Sequence, residues 1–357
     1  LVFQFSISLA AVIFALAFYF NSKYQKEYDL GYSYNSVIQV PLESPGQFEP
    51  LKNVLASNGL FNSVAGTQQH IYASSYKASA RSEKTEAKEI DVFNIGDDYF
   101  RTVDVQIITG SGFEKKSVSD ERESIIVNEQ FLKTFNLKEG IGQRIMLNDT
   151  TPVFIKAVVK DVYLRALFAP LSPVAFRYIP EGTYKMLVAS TKPETLVAAN
   201  EEIKKEWKKL FPNQLYTGQF MEQRMVMVME HFDGVVILYT FLGLVAIVMS
   251  VSGLYSLISL NLQKRTKELG IRKIMGAPLF HMVIQSSKLF IIIMIISCGV
   301  GSLLGSVMVN ALMDNIWEYY VAINLKILSM ASFILFVIAI ATIGVKVVKV
   351  SVRKPVE

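Results

Sequence analysis

The chain has 357 residues, of which 51% are hydrophobic and only 19% charged, and its formal net charge is +5. Soluble domains average about 25% charged residues, so the apolar excess calls for a lipid-facing surface. One cysteine, Cys298, and three scattered histidines, His70, His231 and His281, exclude a disulfide framework and speak against a zinc centre. In such a chain the basic balance marks cytoplasmic loops rather than nucleic-acid binding.

Residues 2–20 carry no charge and make a helix about 28 Å long, enough to cross the hydrocarbon core. A signal peptide is the competing reading. It lacks support because no basic stretch precedes the apolar run and no small-residue cleavage site follows it. A start at Leu1, directly inside a span, is expected of a piece cut from a longer polypeptide. Domain boundaries follow as a first span at 1–20, an outer domain at 21–233, and three further spans at 234–260, 289–313 and 327–348.

Lys264, Arg265, Lys267, Arg272, Lys273 and Lys288 crowd the 261–288 connection, against one acid, Glu268. The 349–357 tail is also basic, whereas the 314–326 connection is not. The positive-inside rule therefore puts 261–288 and the C-terminus in the cytoplasm and 21–233 outside. Gly301 and Gly305 form a small-xxx-small pattern that allows close helix packing, although membrane helices also show it by chance. No span has an ionisable residue near its middle, which disfavours an ion-coupled transporter.

In the outer domain, residues 37–40 read as a strand, and Ser44-Pro45-Gly46-Gln47 as a capping box opening a helix that Asn58-Gly59 ends. A strand follows within 61–71. Residues 186–189, a second capping box at Thr191-Lys192-Pro193-Glu194, a helix to 210 and a strand near 215–220 repeat the theme. The expectation is a split β-α-β layer (about 35–74 and 184–222), ferredoxin-like, around a mainly β inserted lobe at 75–183. That lobe should hold strands at 89–93, 103–108, 124–127, 144–147 and 154–159, and one helix at 128–136. The charged stretch 81–89 reads as a solvated loop. Asp97-Asp98 and Asp120-Glu121 read as turn and surface residues, His70 as packed or surface, and Ser124 lacks a nucleophile-elbow context. The fold class is thus an α-helical membrane protein with four transmembrane helices and a large extracytoplasmic α+β domain.

The most informative stretch is Lys264-Arg-Thr-Lys-Glu-Leu-Gly-Ile-Arg-Lys-Ile-Met-Gly-Ala-Pro278. As a helix, Glu268 and Arg272 make a favourable i,i+4 pair beside an apolar strip of Ile271, Ile274 and Met275. Spacing alone fits two readings: a basic helix lying on anionic lipid, or a short helix docked in a partner's groove. This stretch resembles the cytoplasmic signature of the FtsX/MacB-like ABC permeases. Asn94-Ile-Gly-Asp-Asp-Tyr-Phe100, Ile108-Thr-Gly-Ser-Gly-Phe113, Ile125-Ile-Val-Asn-Glu129, Ala157-Val-Val-Lys-Asp161 and Asp29-Leu-Gly31 extend the resemblance outward.

The resemblance implies that Arg265, Glu268, Gly270, Ile271, Arg272 and Gly276 form an ATPase-coupling segment, with Pro278 a mild departure. It also implies a bacterial inner-membrane location and a cytoplasmic ABC ATPase dimer as partner. A second permease unit, as homodimer or as the other half of a tandem eight-span protein, membrane lipid and an outer partner protein complete the expected set, without nucleic acid. The sequence has no Gly-x-x-x-x-Gly-Lys-Ser/Thr, so ATP and magnesium belong to the partner and no cofactor or catalytic residue is expected in the chain. The expected role is to transmit ATP-driven motion outward for export or extraction of a lipoprotein, peptide or antibiotic. The rival roles are a non-transporting regulator of an extracellular enzyme and a membrane-anchored binding ectodomain.

Overall fold

The computed structural model describes residues 1–71, 75–83, 85–264 and 279–352. It divides into two units, Leu1–Glu27 with Met229–Glu357, and Tyr28–Val228. The first unit holds helices α1 (Val2–Glu27), α8 (Leu279–Ile316), α9 (Leu325–Val352) and most of α7 (Met221–Lys264). Their span-length apolar segments are Val2–Glu27, Asp233–Asn261, Lys288–Ile316 and Leu325–Lys346. The helices outrun the apolar runs read from the sequence. Backbone hydrogen bonding continues through polar residues beyond the hydrocarbon core, so hydropathy marks the membrane and not the helix end.

The second unit opens with β1 (Val37–Pro41), α2 (Phe48–Ala56) and β2 (Ser63–Thr67), and closes with β11 (Met186–Ser190), α6 (Leu196–Leu210) and β12 (Gln219–Phe220). These strands run β2-β11-β1-β12, antiparallel throughout. The two β-α-β halves therefore interleave in one layer, in the order expected of a ferredoxin-like split unit. Helices α2 and α6 cover it with Leu51, Leu55, Ile203 and Trp207, which share one buried cluster with Ile38, Val40 and Leu187. Burying each such side chain stabilises by roughly 2–3 kcal/mol.

Local chemistry at the helix ends differs in part from the sequence expectation. Gln47 Oε1 does reach back, accepting from the backbone N–H of Ser44 and Glu43. Gly59 is absent from the residues with left-handed φ, and the chain leaves α2 instead through Asn58, whose Oδ1 accepts from Leu60 N. Thr191 does not cap α6. Its hydroxyl donates to Leu60 O at 2.6 Å, and a 3₁₀ turn at Pro193–Thr195 leads into the helix.

The inserted lobe is a closed ring. Its strands are β3 (Tyr76–Ser82), β4 (Lys88–Ile95), β6 (Ser124–Asn128), β7 (Arg144–Leu147), β8 (Thr151–Val159) and β10 (Val174–Tyr178). They pair in the circuit β4-β10-β6-β8-β7-β3 and back to β4, with β4–β10 and β6–β8 parallel. Closure removes the exposed edges that an open sheet would leave. Strand β5 (Ile107–Gly110) adds to the far half of β8, β9 spans Leu164–Leu167, and the ring meets the α/β layer where Thr67 pairs with Ile95.

Two short helices were hidden in the sequence, α3 (Tyr99–Val103) and α4 (Val118–Glu123). The expected strand at 103–108 is corrected accordingly: α3 ends at Val103, Asp104 turns the chain at φ 56°, and extended structure starts only at Ile107. The charged stretch near 81–89 belongs to the β3–β4 hairpin at both ends, with Arg81 ion-paired to Asp149. Asp120 is not a surface residue. It is 3% exposed and takes Lys156 Nζ at 2.7 Å plus the N–H of Glu114. Helix α5 (Glu129–Thr134) is capped by buried Asn128, whose Oδ1 accepts from Phe131 N and Val174 N while Nδ2 donates to Ser172 O.

Tyr184 fixes the junction side of the α/β layer. Its ring fills the space that Gly66 and Gly96 leave open, with Phe48 packed edge-on at 4.6 Å between centroids. A Cβ on Gly66 would fall inside that ring, whereas one on Gly59 would meet nothing within 4 Å. Overpacking of this kind costs about 1–3 kcal/mol or more. Gly66→Ala should lower the thermal midpoint of the detergent-solubilised protein by several degrees, and Gly59→Ala should leave it within a degree or two. Equal midpoints for the two variants would show that Tyr184 has room to move.

Candidate functional site: the four-span bundle and its basic connection

The first span carries Gln4, Ser6 and Ser8, which hydropathy passes over. In the hydrocarbon core such groups need partners from neighbouring helices. Ser8 Oγ lies 2.6 Å from Ser250 Oγ and donates to Ala246 O at 2.7 Å. Gln4 Nε2 donates to Met249 O at 2.6 Å, and Ser250 Oγ to Gln4 O. These bonds tie the first span to the second. Ser6 Oγ turns to the third, donating to Ser297 O at 3.3 Å.

The third span meets the first through glycine. A Cβ on Gly301 would lie 2.8 Å from Ser6 O and 3.0 Å from Leu9 Cβ; one on Gly305 would lie 3.0 Å from Ile13 Cδ1 and 3.2 Å from Ala10 Cα. A side chain at Gly301 would collide with the first span's backbone, and one at Gly305 would fit only if Ile13 and Ala10 gave way by a few tenths of an ångström. The first span is the most enclosed, 44% of its apolar window being buried against 11% for the second. It forms the wall the other three share.

The outer ends of the spans are fastened by polar and aromatic contacts. Lys26 Nζ pairs with Asp233 at 2.7 Å, and Ser22 Oγ donates to the same carboxylate. Gln25 Nε2 donates to Tyr319 O, and Asn21 Oδ1 accepts from Val321 N, which holds the short outer connection. Phe18 packs between Tyr239 and Trp317 at 4.8 and 5.8 Å, a belt suited to the bilayer interface. Towards the other end, Lys346 Nζ stands 4.0 Å over the Tyr255 ring.

Of the sequence-predicted site residues, the structure sets Gly301 and Gly305 of the third span against the first. Arg265, Glu268, Gly270, Ile271, Arg272 and Gly276 lie outside the described residues, between Lys264 and Leu279. Sequence reasoning missed the Gln4, Ser6, Ser8, Ser250 and Ser297 seam. The i,i+4 spacing of Gln4 and Ser8 was its signal, since that spacing puts both on one helix face. Among the described residues no group of three or more His, Cys, Asp or Glu side chains could hold a metal.

Gly301→Val should lower the bundle's thermal midpoint in detergent, by about 1–3 kcal/mol of stability. A methyl group added at Gly299 or Gly344 would meet no described atom within 4 Å, so Gly299→Ala and Gly344→Ala are the matched controls. Thermal scans followed by tyrosine emission read the difference.

Both parts of the chain have counterparts among known proteins. The FtsX-like permease C-terminal family matches residues 240–355, and the MacB-like periplasmic core domain family matches residues 5–206. The macrolide export ATP-binding/permease protein MacB of Sodalis glossinidius (strain morsitans) is 21% identical over 238 residues, 62% of this chain. Those residues cover 35% of that protein, so the chain spans about a third of its relative. The periplasmic region of MacB from Actinobacillus actinomycetemcomitans matches with TM-score 0.40 and 13% identity over 57% of this chain and 97% of that one. The extracellular domain of the transporter YknZ from Gram-positive bacteria matches with TM-score 0.37 and 14% identity, over 51% and 98%. With four spans in the bacterial inner membrane, a β-rich domain on the periplasmic side, and family matches over both parts, the chain belongs to the FtsX/MacB-like ABC transporter permeases.

Proposed function

We propose that the chain transmits ATP-driven motion from a separate cytoplasmic ABC ATPase dimer to its outer domain, for export or extraction of a lipoprotein, peptide or antibiotic. The observation that carries this reading is the helix Met221–Lys264. It runs 44 residues without a break from the last strand of the outer domain to the edge of the basic 265–278 segment. At 1.5 Å per residue it is about 66 Å long, twice the roughly 30 Å hydrocarbon core. An unbroken hydrogen-bonded rod passes displacement along its axis better than a jointed one.

The Sodalis relative, an ATP-binding and permease protein in one, supports an ATPase partner for a chain that matches a third of it. Arg265, Glu268 and Arg272 would face that partner, and Ile271 would anchor in its groove. A second permease unit would complete the pair of contact surfaces that an ATPase dimer presents. Coupling further requires that cargo bind the two outer-domain states with different affinity.

The test is recovery of an ABC ATPase with the tagged chain from native membranes in mild detergent. Wild type should bring the ATPase down. Arg265→Glu with Arg272→Glu should reduce recovery at least tenfold while the thermal midpoint stays unchanged. Absence of any ATPase, or recovery indifferent to the reversal, would sink the coupling role. ATPase recovery without movement of cargo would favour the regulator over the transporter.

A further inference from the structure

A cleft of about 510 Å³ opens where the chain enters the outer domain. It begins at Tyr28, one residue after the first helix ends. Tyr28, Tyr32 and Tyr34 line it together with Asp29, Asp104 and Lys160. The volume falls within the range of small-ligand sites, roughly 300–1,000 Å³.

The walls are built and held. Gly31 adopts φ +82°, and a Cβ there would run into the carbonyl of Asp161, so only glycine lets the 28–35 strap lie this close to the 161–163 turn. Tyr163 N donates to Leu30 O at 3.0 Å, the Tyr28 and Tyr163 hydroxyls lie 2.9 Å apart, and Ser33 N donates to Val103 O at 2.8 Å. A ligand would enter a cleft whose backbone is already fixed, which lowers the ordering cost of binding.

Its charges do not cancel. Lys160 Nζ is taken by Asp29 Oδ2 at 2.6 Å, and Gly31 N donates to Asp29 Oδ1 at 2.9 Å. The Lys160 hydrogen bond first, and then the Gly31 N–H, hold the Asp29 carboxyl below its ordinary range, so that pair is ionised and self-compensating. Asp104 makes no ion pair with any described residue and is exposed, at the left-handed turn after α3. One uncompensated carboxylate thus shares a cleft with three tyrosines. A carboxylate beside aromatic residues suits a cation bearing N–H donors, whereas an anion would meet net negative charge.

We propose that this cleft, lined by Tyr28, Tyr32 and Tyr34, binds the guanidinium or ammonium side chain of a peptide, with Asp104 as its counter-ion. The site does not depend on the ATPase coupling proposed above, and its test needs no nucleotide. The full chain in detergent is titrated by isothermal calorimetry with acetyl-Gly-Arg-Gly-amide, with the Glu counterpart of that peptide, and with agmatine as a free guanidinium.

Saturable binding of the Arg peptide but not the Glu peptide is expected. Agmatine binding as tightly as the Arg peptide would overturn the peptide source in favour of a free amine. Asp104→Asn should weaken the Arg peptide at least tenfold. Asparagine tolerates the left-handed backbone, so the turn should survive, and an unchanged thermal midpoint checks this. Lys160→Met leaves Asp29 uncompensated and should tighten binding severalfold. The Asp29–Lys160 pair is largely solvent-exposed, so its loss costs little stability. No saturation with the Arg peptide, equal binding of the Glu peptide, or Asp104→Asn and Lys160→Met both leaving affinity unchanged would overturn the assignment.

Discussion

Between the first and third spans two helix backbones come so close that a side chain at 301 would strike the backbone of the first, and 305 leaves almost no room for one. Lipid tails are as apolar as leucine, so burying leucine against leucine gains little in a membrane; close packing and hydrogen bonds must hold helices together. The first span answers with glycine-matched surface on one side and the Gln4–Ser8 ladder on the other. Its surface is therefore more polar than its hydropathy suggests, with Gln4, Ser6 and Ser8 each bonded to a neighbouring helix.

The outer domain solves a different problem. Strands at the border of a sheet expose unpaired backbone groups. The inserted lobe removes its borders by closing six strands on themselves, with parallel pairs β4–β10 and β6–β8 completing the circuit. The α/β layer instead covers its face with two helices and leaves the join to the ring at a single strand pair. Tyr184 then occupies the space beside Gly66 and Gly96, where Gly96 N also donates to Gly66 O at 2.8 Å. Packing at that join rests on one aromatic ring and two missing side chains.

How much of this could be read in advance follows from what each signal measures. Span number and sidedness come from local apolar length and basic asymmetry, and both survive in one sequence. The two β-α-β halves were legible because helix breakers and alternating strands flank each one. Ring closure was not, since β4 and β10 lie some eighty residues apart and no local pattern records a partner that distant. Strand Tyr76–Ser82 was also hidden, because its Lys-Ala-Ser-Ala-Arg core lacks the β-branched residues that mark strands. Asp120 misled for a related reason: a carboxylate next to Glu121 looks solvated until Lys156, thirty-six residues on, is brought to it. At the candidate site the sequence offered the basic motif and the two glycines but not the serine seam, whose partners sit on a helix more than two hundred residues away.

The energetic terms inside the bundle are unequal, and that inequality bears on how it can move. Backbone packing at Gly301 and Gly305 has no substitute: separating those helices opens a void that lipid cannot fill closely. Hydrogen bonds from Gln4 and Ser8 to the second span are worth on the order of 1 kcal/mol each and have alternatives one turn away, because every turn of a helix offers a carbonyl. The second span is also the least enclosed of the four and continues outward as the long helix Met221–Lys264. The attachment of the second span to the bundle is therefore more easily exchanged than the packing of the first against the third. The bundle is a closely packed first–third pair with the second span, part of the helix Met221–Lys264, joined to it by hydrogen bonds.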